Sequence, residues 1–105
     1  MGTFTYDGIV KADFDDRLLY HLQVTIGAKL RRNETFFFSW NNDVSIDSGR
    51  TTVWLHSSAS IAFKYAGSRQ PKLNMRWVEE LTQTANSNAG LQVVPEPPEG
   101  PPEEE

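Results

Sequence analysis

Apolar and polar positions change their spacing several times along this chain, and each change marks an element. In "TFTYDGIVK", residues 3 to 11, Phe4 and Tyr6 alternate with polar neighbours, Asp7-Gly8 is a turn signal, and Ile9-Val10 resumes strand-type residues. This reads as a short strand or hairpin. From about 14 to 32 the spacing becomes helical, with Leu18, Leu19, Leu22, Ile26 and Leu30 on one stripe. Asp13 or Asp15 can cap that helix, Phe14 can staple onto Leu19, and Lys29, Arg31 and Arg32 suit its negative end.

Three strands follow at about 35–41, 50–56 and 60–66. The first connection is long and polar, whereas the second, near Ser57 and Ser58, is tight, so neighbouring strands are expected to pair antiparallel. Asn74 is a good cap for a second helix over about 75–86, with Met75, Val78, Leu81 and Ala85 as its stripe and Trp77 widening it. "Asn88-Ala-Gly90" ends that helix, and "LQVV" suits a last short strand. The order β-α-β-β-β-α-β predicts an α+β fold, an antiparallel sheet with both helices on one face.

Side-chain alternation then sorts the strands into two faces. Phe36, Phe38, Trp40, Val53, Leu55, Ile61, Phe63 and Tyr65 form the expected core beneath the helices. Phe37, Ser39, Thr52, Trp54, His56, Ala62 and Lys64 fall on the other side, with Arg50 and Arg69 at its margins. Exposed aromatics among cations can stack nucleobases and meet phosphates, so single-stranded DNA or RNA is one candidate partner. A second subunit is another, because a large apolar patch marks an interface of some kind. The N-terminal hairpin or the last strand could instead cover this face.

Composition sharpens the picture at three points. The chain has 105 residues and no cysteine, which rules out disulfides and thiolate metal sites and fits a cytoplasmic location. No apolar run approaches the roughly 20 residues of a membrane span, so no membrane association is expected. The net charge of −4 conceals an asymmetry. The segment from 95 to 105 holds five glutamates and no base, and without them nine acids face ten bases. Between Asp47 and Glu79 there is no acid, while Arg50, Lys64, Arg69, Lys72 and Arg76 are basic. A single domain over 1–94 with a disordered Pro/Glu-rich tail over 95–105 is expected, the tail either solubilising or folding back on the basic surface.

Together "GAKLRR", "GRTTVWLH", "YAGSRQP" and "VVPEPPEG" make the chain similar to a family of small bacterial proteins of unknown function, often labelled automatically "ATP-dependent DNA ligase". The resemblance spans nearly the whole chain and implies a fold family; it brings no catalytic or binding residues with it. Lys11 and Asp13 stand at the spacing of the ligase Lys-x-Asp-Gly signature, but Phe14 replaces the glycine and is expected to begin a helix. The α-β-β-β-α order also matches the double-stranded RNA-binding domain, with Lys72 and Arg76 at the start of the last helix. His21 and His56 are the only histidines and show no zinc spacing, so no metal, cofactor or catalytic group is assigned. The expectation is a small binding module, self-associating through its outer sheet face, with nucleic acid as the leading specific ligand; the alternatives are an accessory of DNA joining and a purely structural dimer.

Overall fold

The computed structural model describes residues 1–42 and 49–99. Strand β1 (Gly2–Tyr6) folds back onto β2 (Val10–Phe14) through a turn in which Asp7 and Gly8 both take positive φ. A type I′ hairpin turn demands that of its two central residues. Helix α1 (Asp16–Arg31) follows directly, with the Asp15 carboxylate accepting from the Arg17 amide as its cap. Phe14 therefore ends a strand rather than beginning the helix, and its ring lies in the core against Phe38 and Trp40.

Strand β3 (Phe36–Asn41) pairs antiparallel with β4 (Arg50–Leu55), Phe37 opposite Trp54 and Phe38 opposite Val53. Much of the polar connection between them, residues 43–48, lies outside the described residues. Strand β5 (Ile61–Lys64) does not continue as the neighbour of β4. It crosses to pair with β1, Phe63 opposite Phe4. The tight hairpin expected at Ser57-Ser58 is thus a crossover. Its physical cause is visible at Ser60, whose carbonyl accepts from the Asp7 amide at 2.7 Å and whose amide donates to the Asp7 carboxylate at 2.9 Å. The hairpin turn holds the start of β5 beside β1, and Phe63 reaches the ring of buried Phe4 at 5.7 Å.

Helix α2 (Met75–Ala85) is capped by Asn74, whose side chain accepts from the Arg76 and Trp77 amides. It buries Trp77, Val78, Leu81 and Ala85, whereas Met75 faces solvent. Strand β6 (Leu91–Gln92) then joins the free side of β3 in parallel. The α+β class and the order of strands and helices stand as expected, with the N-terminal strand realised as a hairpin. The strands divide between two three-stranded sheets, β2-β1-β5 and β4-β3-β6, where the sequence suggested one. That division removes the likeness to the double-stranded RNA-binding domain, since β3, β4 and β5 do not form one sheet.

One core joins all the layers. Phe4 and Phe14 from the first sheet meet Phe38 and Trp40 from the second, with Leu19, Leu22 and Ile26 of α1 and Leu81 of α2 in the same cluster. Ile61, Phe63 and Tyr65 pack against it as their alternation required. Among the described residues no helix is long and apolar enough to cross a membrane.

Candidate functional site

The outer face of the second sheet carries the most exposed aromatic surface that any strand pairing builds. Phe37 and Trp54 are directly opposite across β3 and β4, and their rings meet edge-on at 4.8 Å. They remain 44% and 45% exposed, while Val53 and Leu55 on either side of Trp54 are buried. Trp54 therefore points outward. The Tyr6 hydroxyl donates to the Trp54 carbonyl, tying the two sheets together behind the indole. Burial, reinforced by Asp7, holds the Tyr6 phenol above its ordinary value.

Thr52 and Arg50 continue the same face of β4, both exposed, and the Thr52 hydroxyl bonds that of Ser39 at 2.7 Å. At about 3.4 Å of rise per residue, Arg50 stands roughly 13 Å along the strand from Trp54. His56, half-buried, leaves the strand end and opens the crossover turn.

The other expected members lie elsewhere. Because β5 pairs with β1, Lys64 belongs to the outer face of the first sheet, opposite Thr3, where it lines a shallow open groove with Lys11, Asp13 and Thr5. Lys11 and Asp13 of the ligase-like spacing both face that groove, and the Thr3 hydroxyl donates to Asp13 at 2.9 Å. Arg69 lies in the loop after β5, and Lys72 and Arg76 flank the start of α2, all three exposed. The structure thus gathers Phe37, Trp54 and Arg50, and separates Lys64, Arg69, Lys72 and Arg76 from them.

A groove of about 420 Å³ opens beside Phe37 and Trp54, its other wall formed by the end of α2. At its base lies Lys29, only 6% exposed. Its ammonium donates to Glu34 at 2.9 Å and to the Asn86 side-chain oxygen Oδ1, and stands 5.3 Å from the Phe36 ring. The Lys29 hydrogen bond holds the Glu34 carboxyl below its ordinary value. Lys29 read as a helix-end cation, but it falls four and three residues after Thr25 and Ile26, on the buried stripe, which was the available signal.

A second polar group lies on the same helix, three residues after Leu18 and four before buried Thr25. His21 is fully buried and its ring lies 4.7 Å from that of Trp77. Its Nε2 accepts from the Asn74 amide, so Nδ1 is the nitrogen that donates to the Arg17 carbonyl. Asn74, in turn, donates its side-chain amide to Glu96 at 2.9 Å and to the Pro97 carbonyl at 3.0 Å. Arg17 grips the same Glu96 with two nearly parallel bonds, Nε to Oε1 at 2.8 Å and Nη2 to Oε2 at 2.6 Å. These contacts, led by that of Arg17, bring the Glu96 carboxyl down to about 2. The start of the Pro/Glu segment is therefore held to α1 and to the α2 cap at Asn74, which stands between Lys72 and Arg76 of the basic stretch; residues 100–105 lie outside the described residues.

Among the described residues no group of three or more His, Cys, Asp and Glu is placed to hold a metal. A family model described as "Domain of unknown function (DUF7882)" matches residues 1–96. No curated protein and no solved structure matches the chain.

Proposed function

Because this chain belongs to a family of unknown function, Domain of unknown function (DUF7882), its role has to be argued from its surface, and we propose that it is a small binding module that associates with a second copy of itself through Phe37 and Trp54. The observation that carries this reading is the outward aromatic pair. Two large rings, directly paired and each nearly half exposed, sit where no described element of this chain covers them. Burying such rings is strongly favourable, and aromatic residues dominate the centres of protein interfaces. The exposed Thr52 and Arg50 beside them supply the polar rim that interfaces carry, whereas Ser39 is buried.

Light scattering over a concentration range tests it. The wild type is expected above the monomer mass, and Trp54→Ala at the monomer mass. Folding should survive the substitution, since an exposed cross-strand pair contributes only about 0.2–1 kcal/mol. A wild-type monomer at every concentration, or a Trp54→Ala protein of unchanged mass, refutes the proposal.

Arg50 on the same face supports a second reading, stacking of single-stranded nucleic acid on the rings with a phosphate at the guanidinium. A monomer whose Trp54 fluorescence is quenched by an oligonucleotide, less so as salt rises, would favour that reading.

A further inference from the structure

The segment after β6 runs back along α2 and is pinned at successive points. The Gln92 backbone amide donates to the Thr84 hydroxyl at 3.0 Å, the Trp77 indole to the Val94 carbonyl at 2.9 Å, and the Asn74 side-chain amide to the Pro97 carbonyl. These bonds hold the backbone without any help from the Glu96 side chain. The Glu96 carboxylate is an additional contact, seated in a preformed receptor.

That receptor is built from both helices. Asn74 is 2% exposed and every polar group of its side chain is committed: the oxygen caps α2, and the nitrogen serves Glu96 and Pro97. Its own amide is fixed on His21. The Arg17 guanidinium is oriented by a third bond, Nη1 to the Lys72 carbonyl at 2.8 Å, and its Nε and Nη2 each donate to one oxygen of the same carboxylate. A planar fork of this kind matches a phosphate as well as a carboxylate. Lys72 and Arg76, two residues to either side of Asn74, are exposed, and among the described residues neither has a carboxylate partner. The positive end of α2 points the same way. Lys72 and Arg76 thus add cationic character to a cleft in which Glu99 and Asp15, besides Glu96, act on Arg17.

We propose that the cleft formed by Arg17 and Asn74 is an oxyanion site that takes a phosphate group in place of the Glu96 carboxylate, so that the chain carries its own competitor for that ligand. Exchange requires rotation of one side chain, because the strap backbone is held by Trp77, Thr84 and Asn74. The Arg17–Glu96 pair is about one-third exposed on each side, so an incoming anion reaches it from solvent. The site is separate from the Phe37–Trp54 face and does not depend on how that face is used.

The test is a titration of the full chain with inorganic phosphate, following the Arg17 Nε–H and Asn74 side-chain amide resonances by NMR. In Glu96→Gln both signals should shift saturably, with a midpoint about tenfold below the wild type, the order of one displaced charge-assisted contact. Adding Arg17→Gln to that variant should abolish the response. Glu96→Asp, which keeps the charge on a shorter arm, should fall between and serves if Glu96→Gln folds poorly. A parallel titration with a single-stranded oligonucleotide identifies the source of the phosphate: a lower midpoint than free phosphate at equal salt assigns a nucleic-acid backbone, an equal or higher one a small phosphate. If neither Glu96 variant binds either probe more tightly than the wild type, or the shifts fall away from Arg17 and Asn74, the proposal is wrong.

Discussion

A single residue decides how much a local pattern can mean. Trp54 could be placed by alternation because its neighbours Val53 and Leu55 are unambiguously apolar and both are buried. Glu96 could not, because its partners Arg17 and Asn74 lie 79 and 22 residues away. Its contacts with Arg17 and Asn74 have a consequence for pH. The carboxyl ordinarily titrates near 4.5 and is held at about 2 in the fold, first by Arg17 and then by Asn74. A carboxyl depressed on folding contributes stability that is fully present above its unfolded value and is lost as pH falls through its folded one. Melting temperatures of the wild type and Glu96→Gln, measured from pH 6 down to pH 2, are therefore expected to converge as acid is added. A gap that stays constant over that range would mean that the carboxylate is not engaged.

Elements show where neighbouring sequence misleads. β4 and β5 are joined by a short turn, which favours a hairpin locally, yet Asp7 and Phe4 draw β5 into the other sheet. The aromatic set on β5 kept its inward face through this change, because alternation belongs to the strand and not to its partner. Lys64 kept its outward face too, but on a different sheet, and so left the Trp54 surface. β6 depends on a close approach. Gly90 takes φ of +86°, and a Cβ there would stand 2.5 Å from the Phe37 carbonyl oxygen. Gly90→Ala should destabilise the protein by roughly 2–3 kcal/mol, combining backbone strain with a clash against a strand that cannot yield. Urea denaturation reads that loss. The same variant should displace Phe37, so its self-association is expected to weaken beyond what the loss of stability explains.

At the scale of the whole molecule, two small sheets behave as one body because neither can bury its aromatics alone. Phe4 and Phe14 belong to one sheet, Phe38 and Trp40 to the other, and the helices close the same cluster. A body built around one shared core should unfold in one step. Trp40 and Trp77 report from a strand and a helix respectively, and both are buried. In a Trp54→Phe background, fluorescence and far-ultraviolet circular dichroism should therefore give coincident urea transitions. Separate midpoints would show that the sheets hold together less firmly than their common core suggests.

The chain's local spacing was enough for the class, the helices, the capping by Asn74, the narrowing of the first cap to Asp13 or Asp15, and the inward or outward sense of nearly every strand residue. Those features depend on periodicity and on groups a few residues apart, so a linear reading contains them. The pairing of β5 with β1, the parallel seat of β6, the polar partners of Lys29 and His21 at Asn86 and Asn74, and the union of Arg17 with Glu96 depend on contacts across tens of residues. Many such pairings are compatible with the same local pattern. The shared core goes with this choice: the arrangement buries Phe4 beside Phe38, and among the described residues no buried side-chain polar atom lacks a partner.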